Sequence, residues 1–358
     1  MENDTDLDIS RMLASACARA IVWLFDRVQS EGDVLLLSGW ALVTKGTHDT
    51  SRFHVNGVPF ESVTWMDSPD LAEHFYGVAN SGRARFECRV NKNVIPADDY
   101  YRFEFIQDGD IEDARRSAWW IRAGLGAGGL SGERVSRVIG SEESLHFEIG
   151  GATLFYRIDD YLRLRFGRGF EDFEGFLDWG CGAGRLLSHL SNIKGPEIWG
   201  SDIDHDNLKY CQDQFPFAKC SVFPLRPPTQ VADGKFDLIV GISVCTHLSE
   251  KDQQLWLKEL HRMTMPGALV MLSVQGFAQS ALYRVNPKLI RDLRKHGFVT
   301  MGVNPRINDI VGEENYYKDV VQTRAHIESN WGKHFEVLEF LDGFAANQDM
   351  VVMRKRLM

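Results

Sequence analysis

The chain has 358 residues, 44% hydrophobic and 25% charged, which supports sizeable cores and excludes disordered, collagen-like and coiled-coil architectures. Its net charge of −10 is uneven: 20 acidic against 12 basic residues through Arg116 give −8, and the rest of the chain carries −2. The acidic third is a poor partner for nucleic acid or an anionic membrane, and the length predicts two domains.

Six scattered cysteines, Cys17, Cys88, Cys181, Cys211, Cys220 and Cys245, form no CxxC pair and read as reduced thiols of a cytoplasmic protein. The acidic start does not suit a secretory signal, and Met12 to Phe25 is too short for a bilayer, so no membrane insertion is expected. Ile9, Met12, Leu13, Ala16, Ala20, Ile21 and Leu24 recur at helical spacing and predict an N-terminal amphipathic helix. Strands are expected at 34–43, 52–55, 84–90 and 100–106, with Asn56-Gly57 as a tight hairpin turn. Together these predict a small, mostly-β, sandwich-like domain over residues 1–116.

Residues 117–146 are expected to be a linker, because the glycine-rich run from Ala123 to Gly132 lacks a leading strand and a following apolar helix. From 147 to 358 strands and helices alternate. Strands are predicted at 175–178, 197–202, 219–223, 236–243 and 268–273, with helices at 185–193, 207–215 and 251–263. Ser249 and Asp252 cap the last of these helices. Residues 335–341 and 350–353 have no room for a helix between them, so they must be antiparallel neighbours. The fold class is α/β: an open, mostly parallel, Rossmann-like sheet with a terminal antiparallel hairpin.

The strongest motif is Asp178-Trp-Gly180-Cys-Gly182-Ala-Gly184-Arg185, a strand feeding a G-x-G-x-G turn. The dinucleotide fingerprint places its third glycine five residues after the first; here it comes after four. Asp202, twenty-two residues beyond Gly180, ends the next strand, where a carboxylate can accept both hydroxyls of a ribose. Asp202, Asp204 and Asp206 mimic the start of a calcium loop, but Asn207 and Asp213 stand where glycine and glutamate are required. No histidine or cysteine spacing suggests a metal. Asp204 or Asp206 is the expected cap of the following helix.

This glycine spacing, the preceding acid and the terminal hairpin resemble class I S-adenosylmethionine-dependent methyltransferases. The run Lys235 to Leu248 with Pro266-Gly267 is similar to the same family. The resemblance implies S-adenosylmethionine as cofactor, held by Asp178, Gly180, Cys181, Gly182, Gly184, Arg185, Asp202, Ile203 and Ser243. Many members carry an acid after the third strand for the adenine amino group; here Val222 to Pro228 has none. The sequence Ser243-Val-Cys-Thr-His247 departs from the (N/D)-P-P-Y of adenine and glutamine methyltransferases. Cys245 reads as a small core residue. His247, at the C-terminal edge of the sheet, is either the base for a hydroxyl acceptor or a residue fixing the loop or touching cofactor.

Residues 304–333, with Asn315-Tyr-Tyr-Lys-Asp319 and Trp331, are either an acceptor-side lid or a helix packing its aromatics inward. That region and Gln348-Asp349 resemble a subgroup encoded with bacterial surface-polysaccharide glycosyltransferases, and the N-terminal strands resemble the small sandwich found beside such enzymes. The resemblance implies O-methylation of a sugar hydroxyl in a glycan or its precursor. A small-molecule acceptor, an NAD-dependent oxidoreductase and a non-catalytic S-adenosylmethionine sensor are the rival readings. Oligomeric state is not fixed by the sequence.

Overall fold

The structure is a computed structural model, and it describes residues 23–75, 78–124, 132–139, 144–276, 287–304, 307, 310, 312–313, 315–345 and 348–357. Their contacts divide them into two compact units, one holding residues 23–124 and the other the described residues from 132 onward.

The first unit contains two antiparallel four-stranded sheets. One has the order β1-β2-β6-β5, from β1 (Trp23–Glu31), β2 (Val34–Ala41), β5 (Ser62–Met66) and β6 (Arg85–Asn91). The other is β4-β3-β7-β8, from β3 (Arg52–Val55), β4 (Val58–Pro59), β7 (Tyr100–Ile106) and β8 (Trp119–Arg122). Their inner faces meet through aromatic rings: Phe53 of β3 stacks on Phe86 of β6 at 4.1 Å, and Phe25 of β1 meets Phe103 of β7 at 5.2 Å. Asn56 and Gly57 take the positive φ of the expected hairpin turn.

Several expectations are corrected here. The predicted N-terminal helix lies mostly outside the described residues, but its last part, Trp23 and Leu24, is strand β1. Trp23 and Trp119 each donate an indole N–H to a backbone carbonyl, Ser117 and Trp23 respectively, so these rings are pinned between β1 and β8. Of the expected linker, residues 119–122 are strand β8, while α3 (Gly132–Ile139) and the start of α4 (Ser144–Phe166) are helical. Two shorter helices, α1 (Pro69–His74) and α2 (Ile111–Arg116), precede them.

The second unit is built on one seven-stranded sheet in the order β11-β10-β9-β12-β13-β17-β16. Its strands are β9 (Gly175–Trp179), β10 (Glu197–Asp202), β11 (Lys219–Val222), β12 (Phe236–Gly241), β13 (Thr264–Val274), β16 (Glu336–Ala345) and β17 (Gln348–Arg354). The first five are parallel; β17 runs antiparallel to both β13 and β16. Strand β16 stands at one edge, and its register slips between Val337 and Glu339 and again between Leu341 and Ala345. Every residue of β9 and β12 is buried, as expected of central strands covered on both faces.

One face is covered by α4 and α5 (His205–Gln214), the other by α6 (Glu250–Met263) and Trp331. Helix α7 (Pro287–His296), the hairpin of β14 (Phe298–Val303) and β15 (Lys318–Gln322), and α8 (Arg324–Asn330) complete the unit. β9 and β12 are adjacent although three elements separate them in sequence. This is the point where strand order reverses, and it opens a crevice at their carboxyl ends.

The helix expected over 185–193 is absent. After Gly184 the chain makes turns and a 3₁₀ segment, Leu187–His189. Three glycines with positive φ precede it, and the N–H groups of His189 and Leu190 bond three residues back, to the carbonyls of Leu186 and Leu187, which is 3₁₀ spacing.

Candidate functional site

The carboxyl ends of β9, β10 and β12 bring the motif residues together. Gly180, Gly182 and Gly184 have φ of 76°, 54° and 80°, a region that side chains disfavour. Their neighbours leave no room either. A Cβ on Gly180 would stand 2.3 Å from Val244, one on Gly184 2.3 Å from the Phe215 ring, and one on Gly182 2.9 Å from Val138 of α3. Gly180 and Cys181 both donate their N–H to the Ser201 carbonyl, at 2.7 and 2.9 Å, so the turn is laid over β10.

Asp202 locks the turn in place. One carboxylate oxygen accepts from the Gly182 N–H at 2.8 Å and the other from the Asp204 N–H at 2.9 Å. Burial raises its pKa, and these two donated hydrogen bonds oppose the rise. Asp204 is the cap of α5, accepting from the N–H of Asp206 and of Asn207. Of the two candidates for the cap, it is therefore Asp204, which leaves Asp202 to the turn.

Asp178 is 3% exposed, and its Oδ2 has no hydrogen-bond partner among the described residues. Burial pushes its pKa up to about 7, the Arg185 guanidinium working against the rise and the Asp202 carboxylate adding to it. Arg185 is itself drawn down by burial, with Asp178 opposing. It lies against α4 at Gly150 and Gly151, where a Cβ on Gly151 would meet the Arg185 carbonyl at 2.3 Å. The Cys181 Sγ donates to the Gly182 carbonyl, and Ile203 packs on the core beneath the end of β10.

Ser243, two residues past the end of β12, has φ 60°, a strained backbone for a residue other than glycine. Its N–H donates to Ser273 Oγ at 2.7 Å, and the Ser273 hydroxyl donates to Gln348 Oε1 at 2.7 Å. The left-handed step turns the chain back so that Val244 covers Gly180. Cys245 is 2% exposed and its thiol is pushed up by burial, as befits a core residue.

His247 follows on this loop with a side chain 13% exposed. Its Nδ1 lies 3.1 Å from the Lys318 carbonyl, a hydrogen bond, and 3.1 Å from Asp319 Oδ1. Its ring stacks on Tyr317 at 4.0 Å. Nε2 makes no hydrogen bond among the described residues. These partners were not paired with His247 by sequence reasoning: Lys318 is 71 residues away, and no spacing links a loop to a later strand. The expected lid region divides. Tyr316 and Trp331 are buried in the core, at 3% and 0% exposure, whereas Tyr317 lies on His247. Helix α3, with Val138 against Gly182 and Val135 packed with Ala183 and Phe147, lies in the stretch expected to be linker, where no apolar period announces a helix.

Among the described residues no group of three or more His, Cys, Asp or Glu could hold a metal ion, and no helix is long and apolar enough to cross a membrane.

Residues 151–325 match the family model of a methyltransferase domain. No curated protein matches the chain. Among solved structures, an S-adenosylmethionine-dependent methyltransferase from Methanosarcina mazei is 21% identical, with 52% of this chain and 94% of that one covered and a TM-score of 0.39. A putative methyltransferase of the same cofactor class from Methanococcus maripaludis is 14% identical, with 66% and 99% covered and a TM-score of 0.40. The 1,6-didemethyltoxoflavin-N1-methyltransferase of Burkholderia thailandensis, solved with S-adenosylhomocysteine, is 12% identical, with 66% and 96% covered and a TM-score of 0.40.

Proposed function

From the match of residues 151–325 to a methyltransferase domain, we propose that the chain methylates a hydroxyl group with S-adenosylmethionine, the acceptor being a sugar of a glycan or glycan precursor in the cytoplasm. The observation that carries the reading is the glycine turn tied by its Gly182 N–H to Asp202. Glycine at these three positions lets the turn lie tight against Val244, Val138 and Phe215, and a carboxylate ends the neighbouring strand at the switch point.

The residues fit the cofactor. Each Asp202 oxygen uses one acceptor site on the backbone and keeps another for a ribose hydroxyl. Asp178, with an unpartnered oxygen at the start of the turn, suits a cationic methionine ammonium. S-adenosylmethionine supplies an activated methyl group, whose transfer forms one C–O bond, breaks one C–S bond and leaves a neutral thioether. The protein's own part is to hold the acceptor in line and to take its proton, and His247 Nε2 is the nitrogen available for that. The near-neutral −2 of residues 117–358 favours an uncharged acceptor such as a sugar over a polyanion.

Calorimetry with S-adenosylmethionine tests the reading. The native chain should bind, and Asp202→Ala should weaken binding by at least tenfold, about 1.4 kcal/mol. Equal affinities in the two proteins would remove Asp202 from the site.

A further inference from the structure

We propose that Asp319 is a positioning residue for His247, keeping the ring proton on Nδ1 and so leaving the lone pair of Nε2 to an acceptor hydroxyl. The proposal rests on the reading of His247 as the base. Its geometry is independent of that reading.

His247 Nδ1 faces two oxygens at 3.1 Å, the Lys318 carbonyl and the Asp319 carboxylate. Neither can donate a hydrogen. A ring nitrogen that meets only acceptors must carry the hydrogen itself, which puts the lone pair on Nε2. The carbonyl takes the hydrogen bond; the carboxylate adds a full negative charge beside the same nitrogen. That charge favours the N–H dipole on Nδ1 and offsets the positive charge that arrives when the ring is doubly protonated.

The surroundings hold both partners in register. The Lys318 N–H donates to the His247 carbonyl at 3.0 Å and the Val320 N–H to the Thr246 carbonyl at 2.9 Å, so β15 is stitched to the histidine loop. The Asn304 side chain donates to the same Asp319 oxygen at 3.1 Å. Tyr317 fixes the plane of the imidazole by stacking at 21°.

The proton balance is simple. The acceptor O–H bond breaks, its proton goes to Nε2, and its electron pair stays on the oxygen. Nδ1 keeps its hydrogen throughout, and Asp319 receives none. The ring later gives its extra proton to water, completing the cycle.

Nitrogen-15 NMR of the His247 imidazole in the full chain, without added ligand, tests this. The native chain should show hydrogen on Nδ1 and a bare Nε2. Asp319→Asn removes the charge and brings an amide donor to the same place, so the form with hydrogen on Nε2 should appear. Asp319→Glu should return the native spectrum. An Asp319→Asn spectrum identical to the native one, or a native ring with hydrogen on Nε2, overturns the proposal. Should the Asn variant fail to fold, Asp319→Glu decides alone: a folded Glu variant with hydrogen on Nε2 overturns it, and one with the native spectrum supports it. A separate titration with S-adenosylhomocysteine should give equal affinities for native and Asp319→Asn. A native chain that does not bind overturns the cofactor reading and leaves the ring result standing.

Discussion

Asp178 is a carboxyl whose native pKa of about 7 stands well above the 3.8 of its unfolded state. Between those values the folded chain keeps a proton that the unfolded chain has released. The stability this confers is complete below about pH 4 and disappears as the pH climbs through about 7. Asp178→Asn cannot ionise, so its stability relative to the native chain should rise between about pH 4 and pH 7, read as urea midpoints at each pH. A constant gap across that range would mean that the native carboxyl ionises as it does in the unfolded chain. Only the place of this residue is legible in sequence, an acid two positions before the first glycine of the turn. Its unmet oxygen and its closeness to Arg185 and Asp202 are not, because they depend on where β9 ends relative to β10.

At the level of elements, the legible strands were those whose alternation or continuous apolar run matched their burial. Arg85–Asn91 alternates and is half-exposed, while Phe236–Gly241 is apolar throughout and wholly buried. Leu24 continues a 3.6-residue period begun at Ile9, and pairing with β2 overrides that period at Trp23 and Leu24. Leu186, Leu187 and Leu190 also have helical spacing, yet the backbone bonds of His189 and Leu190 run three residues back and make a 3₁₀ turn. Strand β15 lies within the stretch for which a lid or an inward-packed helix is expected. Gln322 is 2% exposed, and neither polar atom of its amide has a partner among the described residues. Gln322→Met keeps the volume and removes the unmet groups. It should stabilise the chain by about 1 kcal/mol, raising Tm by about 2–4 °C. A fall in Tm by calorimetric scanning would show that the amide is bonded in solution.

For the whole molecule, the division into two units assigns every proposed cofactor residue, from Asp178 to Ser243, to the second unit. A fragment of residues 127–358 should therefore bind S-adenosylhomocysteine with the affinity of the full chain. Loss of binding in a folded fragment would make the first unit part of the site. The acidic surplus belongs to that first unit, whose two sheets close an aromatic core without any residue of the glycine turn.

The sheet of the second unit does not close on itself, and β16 is one of its two outer strands. An uncovered strand offers its free amides and carbonyls to other chains as a template for aggregation. Two register slips distort that row in β16, and Glu336, Glu339 and Asp342 add negative charge along it. Each acid is matched within the chain, Glu336 by Arg354, Glu339 by Arg165 and Asp342 by Arg324, so the guard does not strand an uncompensated charge. Replacing these acids by Val or Thr would straighten nothing in the native sheet, yet it would make the outer strand far more hospitable to a second molecule.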